Sequence, residues 1–296
     1  MRILVTGREG QVARSLVERG VHHGAQVVTL GRPDLDLAGP AETIGASIES
    51  ARPDIVISAA AYTQVDKAES EPDLAFAINE RGAAAIAHAA SKLEIPLIHL
   101  STDYVFDGGK ATPYVEADPT APAGVYGASK LAGEMAVLAE HDDCVVLRTA
   151  WVFSPFGANF VKTMLRLADT RDEIGVVADQ RGNPTSALDI ADAILIVADN
   201  LKSRTAPEWR GIFHMTAAGE ANWADFAEAI FAASAEAGGP SARVKRITTA
   251  DYPTPAHRPA NSRLDSSRLA QVHGVRLPDW RESLQGVVER LVKADA

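Results

Sequence analysis

Tyr126 and Lys130 stand four residues apart in the stretch Pro122-Ala-Gly-Val-Tyr126-Gly-Ala-Ser-Lys130. A helix that begins just after Pro122 puts both side chains on one face. An ammonium fixed beside a phenol favours the phenolate, so the spacing predicts a tyrosine pKa drawn down from about 10 towards the working pH. Such a tyrosine can give a proton to a carbonyl oxygen while a hydride arrives at the carbon. Taken alone, the pair also suits an ordinary surface helix. Its meaning depends on what else the chain brings to it.

A second constellation lies at the start. The apolar run Arg2 to Thr6 reads as a strand buried on both faces. It stops at Gly7-Arg-Glu-Gly10-Gln11-Val12-Ala13, and a helical pattern follows from Gln11 to Arg19. Strand, glycine turn and helix make the context of a phosphate-binding turn. Gly7 permits the tight turn, and Gly10 lets a pyrophosphate approach the free N–H groups at the helix start. Ala13 takes the helix–strand packing position of a third glycine. A second strand, Gln26 to Leu30, ends at Gly31-Arg32, with no acid before Asp34 and Asp36. An acid at that strand end would select NAD through the ribose 2′-OH. Arg32 there favours NADPH, with NADH possible, although a solvated loop arginine would look the same.

These residues need a scaffold, and the chain alternates strands with helices. Further strands are expected at Asp54–Ser58, Pro96–Ser101, Asp143–Thr149 and Gly211–Met215. Helices are expected over 72–92, 159–168, 187–201 and 221–237, with a last one from about Asp279. The pattern predicts a doubly wound parallel sheet of Rossmann type with a smaller C-terminal α/β lobe. Residues 1–150, with 185–213 returning, are expected to form the nucleotide-binding part, and 151–184 with 214–296 the second lobe. Ligands of such sheets bind beyond the carboxyl ends of the strands, where Gly7, Ala61, Thr102 and Trp151 all fall. Trp151 reads either as a wall of that site or as a core residue where the lobes join.

Composition narrows the classes. Of 296 residues, 46% are hydrophobic and 23% charged, and the net charge is −10, which speaks against a nucleic-acid footprint. A positive pocket for an anion remains compatible with that charge. The single cysteine, Cys144, lies in an apolar run and reads as a buried strand residue. His22 and His23 read as helix-end residues, and no metal site is expected. No apolar run is long enough to cross a membrane, and the start of the chain lacks a signal-peptide pattern. A cytoplasmic protein is the expectation.

With Thr102, Tyr126 and Lys130 placed, the chain resembles the extended short-chain dehydrogenases/reductases, and among them the dTDP-4-dehydrorhamnose reductase family. The segments that carry the resemblance run nearly end to end. They are Gly7-x-x-Gly10-Gln11-Val12, Ala60 to Glu71, Ser101-Thr-Asp-Tyr-Val-Phe-Asp107, Val125-Tyr-Gly-x-x-Lys-Leu-Ala-Gly-Glu134, Arg148-Thr-x-Trp151, Asp179-Gln-x-Gly-x-Pro-Thr185 and Arg258-Pro-x-Asn-Ser262. The resemblance implies hydride delivery from NADPH to C4 of dTDP-4-dehydro-L-rhamnose. Tyr126 would give the proton, Lys130 would hold the nicotinamide ribose, and Thr102 would hydrogen-bond the substrate oxygen. The cofactor set expected is Gly7, Gly10, Gln11, Val12, Arg32, Asp36, Leu37, Ala60, Ala61, Tyr62 and Thr63, with Tyr126 and Lys130. The substrate set is Thr102, Asp103, Tyr126, Trp151, Asn159 and Arg258, with Asn159 or Arg258 as the diphosphate contact.

The chain departs from some relatives in having Gly31-Arg32 after the second strand and Ser15 where they carry a metal-binding glutamate. A monomer or a homodimer without a bridging metal is therefore expected. A sugar-nucleotide epimerase or 4,6-dehydratase would share fold, cofactor and tyrosine. A dehydratase would, however, follow the threonine with an Asp-Glu pair, and Thr102 here precedes Asp103-Tyr104. A non-catalytic NADP-binding regulatory subunit is the other alternative. The intact Thr102, Tyr126 and Lys130 set favours an enzyme.

Overall fold

The apolar runs become six strands: β1 Arg2–Thr6, β2 Gln26–Leu30, β3 Ile55–Ser58, β4 Leu97–Thr102, β5 Cys144–Thr149 and β6 Gly211–His214. In the computed structural model, which describes residues 1–295, they form one parallel sheet in the order β6-β5-β4-β3-β1-β2. The order reverses between β1 and β3. The connections there leave to opposite faces, which opens a crevice at the carboxyl ends of these two strands.

Helices cover both faces. They are α1 Gln11–His22, α2 Ala41–Ala51, a composite α3 (Pro72–Phe76, Ala77–Gly82, Ala83–Lys92), α4 Val125–Glu140, α5 Phe160–Ala168, α6 Ala187–Ser203, α7 Trp223–Glu236, α8 Ser267–His273 and α9 Trp280–Asp295. Side chains alternate along a strand, so neighbours enter different cores. Ile3, Val5, Ile57 and Leu147 pack with Leu16 of α1 and Ile190 and Ile194 of α6, and this core continues to Phe226 and Trp280 in the C-terminal lobe. Leu4, Val56, Val146 and Cys144 pack with Ile44 and Ile48 of α2 and the alanines of α3. Each large aliphatic side chain so buried contributes about 1.5–3 kcal/mol.

Two features were not legible beforehand. The expected continuous helix 72–92 widens in its middle, where Ala77–Gly82 is a π-helical turn. That turn carries Asn79 onto the backbone of Tyr62, whose N–H it accepts at 2.8 Å and to whose carbonyl it donates at 3.1 Å. The second is a parallel pair outside the main sheet, Glu173–Val177 with Arg243–Ile247. The charged sequence Arg243-Val-Lys-Arg-Ile hid this strand, because only its packed face is apolar.

Candidate active site

The glycine turn is built as its residue types require. Gly7 has φ +94°, a conformation that a side chain disfavours, and a Cβ there would lie 3.4 Å from the Cβ of Ala60. Thr6 ties the two strand ends together, its hydroxyl accepting from the N–H groups of Ala59 and Ala60 at 3.0 Å each. Gly10 begins α1 with no side chain capping the helix and no acid in its first turn. A Cβ on Gly10 would meet only open space. An uncapped helix start with open space before it fits a pyrophosphate, so the residues suit a dinucleotide.

The rest of the expected cofactor set follows the carboxyl ends of β1, β2 and β3. Ala60 and Ala61 are half-buried and Thr63 is exposed. Tyr62 is buried and donates its phenol proton to Glu71 at 2.8 Å. Gln11 braces the turn against the second lobe: its amide oxygen accepts from Ser154 at 2.8 Å and from Asn159 at 3.1 Å. Val12 is half-buried, Asp36 accepts from the N–H of Ala38 in a local turn, and Leu37 is packed in the second core. Arg32 is exposed. Arg8, which the sequence reading passed over, comes to it from the glycine turn, donating to the Arg32 carbonyl at 3.4 Å and pairing with Asp34. A basic residue inside the turn was the available signal.

The Tyr-x-x-x-Lys pair lies in the first two turns of α4, facing the end of β4. Three consecutive β4 residues meet three helix residues spaced four apart. The Leu100 carbonyl accepts from Lys130 Nζ at 2.7 Å, Ser101 donates to Glu134, and the Thr102 hydroxyl lies near the Tyr126 phenol. Thr102 gives its own single proton to Asp103 Oδ1 at 2.9 Å and accepts from the N–H of Tyr104 at 3.2 Å. The Tyr104 ring stands edge-on to that of Tyr126, with centroids 5.5 Å apart.

This geometry corrects the electrostatic expectation for Tyr126. Burial pushes its phenol up to about 12, with Thr102 pulling it down and Asp103 adding to the rise. The Lys130 ammonium faces a carbonyl and not the phenol, so the expected depression is absent. Lys130 itself is lowered to about 8 by burial, against the attraction of Glu134. Asp103 is raised to about 6, also by burial, and its Oδ2 has no hydrogen-bond partner.

The segments after β5 hold the remaining expected residues. Trp151 follows β5 with φ +48°, a left-handed conformation that costs a bulky residue about 1–3 kcal/mol. Its ring stacks on Trp223 at 3.5 Å between centroids, and its indole N–H donates to Ser262 at 3.1 Å. Gly182 lies against this ring, where any side chain would overlap it. Gln180 in turn accepts from the Trp223 indole at 3.2 Å. The two turn-rich segments around 180 and 260 thus run side by side, joined by Arg181 N–H to the Ala260 carbonyl and Ser262 N–H to the Arg181 carbonyl, both at 2.8 Å. Asn159 caps α5, accepting from Lys162 N–H at 3.2 Å, and its amide donates to Gln11. Arg258 pairs with both carboxylate oxygens of Asp66 at 3.1 and 2.8 Å.

The Rossmann-type sheet, glycine turn and Thr102–Tyr126–Lys130 grouping are those of the short-chain dehydrogenase/reductase class. Residues 1–293 match the family described as RmlD substrate binding domain, and the chain belongs to that family. A dTDP-4-dehydrorhamnose reductase of Sinorhizobium fredii is 52% identical over 292 residues, spanning 99% of this chain and 98% of its own. The crystal structure of a dTDP-4-dehydrorhamnose reductase of Clostridium acetobutylicum superposes with a TM-score of 0.90 at 37% identity, over 98% of this chain and 99% of that one. That of Bacillus anthracis, solved in complex with NADP, gives 0.89 at 34% identity, over 97% and 98%.

Proposed function

We propose that this protein is an NADPH-dependent reductase that converts dTDP-4-dehydro-L-rhamnose to dTDP-L-rhamnose. The observation that carries the reading is the grouping of Tyr126, Thr102 and Lys130 at the end of β4, beside an uncapped glycine turn. The homologous reductases supply the substrate class. NADPH, when bound, supplies the hydride.

Tyr126 is the proton donor to the C4 oxygen. A phenol near 12 stays protonated at neutral pH, as an acid must until it is needed, and the oxygen that develops on hydride arrival is more basic still. Thr102 hydrogen-bonds that oxygen by turning its hydroxyl proton from Asp103 Oδ1 to the substrate. Lys130 holds the nicotinamide ribose. Gly7, Gly10, Gln11, Val12, Ala60, Ala61, Tyr62 and Thr63 line the cofactor crevice, with Asp36 and Leu37 behind its adenosine end. Arg32, with Arg8 beside it, meets the 2′-phosphate. Asp103 and Trp151 receive the sugar, and of the two candidates Arg258, which carries the positive charge that Asn159 lacks, meets the diphosphate.

Residues 1–150 with 185–213 make up the cofactor-binding part, since β6 pairs with β5 and α6 packs on α1. Residues 151–184 and 214–296 make up the substrate lobe. No helix among the described residues is long and apolar enough to cross a membrane, which is compatible with a cytoplasmic enzyme.

The test follows NADPH absorbance with the dTDP-4-keto sugar, generated in situ by the upstream reactions. Tyr126→Phe should lose turnover of order 10²-fold or more and keep near-normal NADPH binding. A near wild-type rate would remove Tyr126 from the chemistry. NAD that stays bound through purification, without NADPH turnover, would point to an epimerase instead.

A further inference from the structure

Behind Lys130 lies a cluster of buried charge that the proton transfer does not use. Lys130, Glu134 and Arg148 are 3%, 1% and 2% exposed. Glu134 follows Lys130 by one helical turn and accepts from Ser101 and from Arg148 Nε at 2.9 Å on one oxygen, and from Arg148 Nη2 at 2.6 Å on the other. The two-pronged contact ties Arg148, near the end of β5, to the carboxylate, while the Lys130 ammonium itself donates to the Leu100 carbonyl. Arg148 turns its remaining faces to the Phe106 ring at 5.1 Å and to His214. Two cations and one anion are therefore buried close together at the ends of β4 and β5.

Removal of Glu134's charge would leave two buried cations without that anion. Burial alone favours a neutral amine at Lys130. His99, on β4, also faces the lysine, and it is kept neutral by burial and by the Lys130 charge. Tyr126, one turn earlier on α4, is a neutral phenol, and the middle of α3 contributes only uncharged Asn79 near this stripe. Glu134 is thus the one anion facing the ammonium among the described residues.

We infer that Glu134, clamped by Arg148 and Ser101, is the positioning residue that keeps the Lys130 side chain charged and therefore able to hold the cofactor. The inference rests on the proposed role of Lys130, and it assigns a purpose to a Glu–Arg pair that would otherwise only tie α4 to β5. A carboxylate at this place lets a dehydrated lysine remain an ammonium through the neutral range.

The experiment titrates NADPH binding, by quenching of protein fluorescence, against pH in the wild type, Glu134→Gln, Glu134→Asp and the double variant Glu134→Gln/Arg148→Met. Wild-type affinity should fall as pH passes about 8, where Lys130 loses its proton. Glu134→Gln should show this fall roughly one pH unit or more lower, and the double variant, which also loses the Arg148 charge, a smaller shift in the same direction, with affinity approaching that of the wild type when both are assayed at pH 6. Glu134→Asp should keep the wild-type midpoint. The double variant guards against misfolding, because replacing both members of a buried pair is often neutral where removing one is not. A double variant that melts like the wild type and shares its binding midpoint would overturn the inference and leave the pair a structural tie. A wild type that binds no NADPH at any pH would instead overturn the proposed function, so the two failures are distinguishable.

Discussion

Asp103 is a buried carboxyl whose Oδ2 has no partner, and burial raises it to about 6 from an ordinary 3.8. Between those two values the folded protein holds a proton that the unfolded chain has released. The sign follows: this group stabilises the fold at acid pH, and that contribution is lost as pH rises through about 6. At about 1.4 kcal/mol per unit, the shift corresponds to an upper value of roughly 3 kcal/mol. Asp103→Asn should therefore raise the melting temperature at pH 7.5 and leave it nearly unchanged at pH 4. It should also raise KM for the keto sugar, because a carboxylate retained against stability is a strong acceptor for sugar hydroxyls. Equal effects on melting at both pH values would mean that Asp103 does not titrate as described.

At the scale of elements, the helix that carries Tyr126 and Lys130 is capped from a distance. α4 starts after Gly124, which has no side chain to cap it, and Glu69 accepts from the N–H of Val125 at 2.9 Å across 56 residues of sequence. A carboxylate at a helix start also meets the positive end of the dipole. Tyr126 is the second residue of this helix, so a frayed first turn would displace the proposed acid. Glu69→Ala should cost about 1 kcal/mol of stability and lower kcat several-fold, and Glu69→Gln, which keeps an acceptor, should recover kcat. A variant with a lower melting temperature and unchanged kcat would confine Glu69 to stability.

At the scale of the whole molecule, segments far apart in sequence meet through contacts that span most of the chain. Arg258 and Asp66 pair across 192 residues, and the same carboxylate accepts from the N–H of Ala256 at 3.2 Å. Asp66 is partly exposed, so the pair is worth about 1 kcal/mol at most in stability. Its placement beside Tyr104, whose phenol burial pushes well above its ordinary range against the pull of the Arg258 charge, brings a guanidinium to the edge of the site on an otherwise acidic protein. Arg258→Ala should shift melting by only a few degrees and raise KM for the dTDP-sugar about tenfold or more, leaving KM for NADPH unchanged. Loss of stability with normal sugar binding would make the pair a lobe fastener and nothing more.

What the sequence determined by itself was everything that depends on neighbours along the chain. The apolar runs marked the six strands of the sheet, Gly7 and Gly10 marked the turn, and the four-residue spacing put Tyr126 and Lys130 on one helix face. Those features follow from local sterics and periodicity, which a linear string records. The tertiary structure decided where each charge points. Lys130 turned to the Leu100 carbonyl and not to the phenol, Asn159 and Arg258 acquired partners from distant segments, and Asn79 reached Tyr62 through a π-helical turn that no periodicity announces. Trp151 is held with φ +48° between Trp223 and Gly182 by two loops that touch only in the folded chain. Burial and the direction of a hydrogen bond set pKa values, and both are properties of packing between segments far apart in sequence.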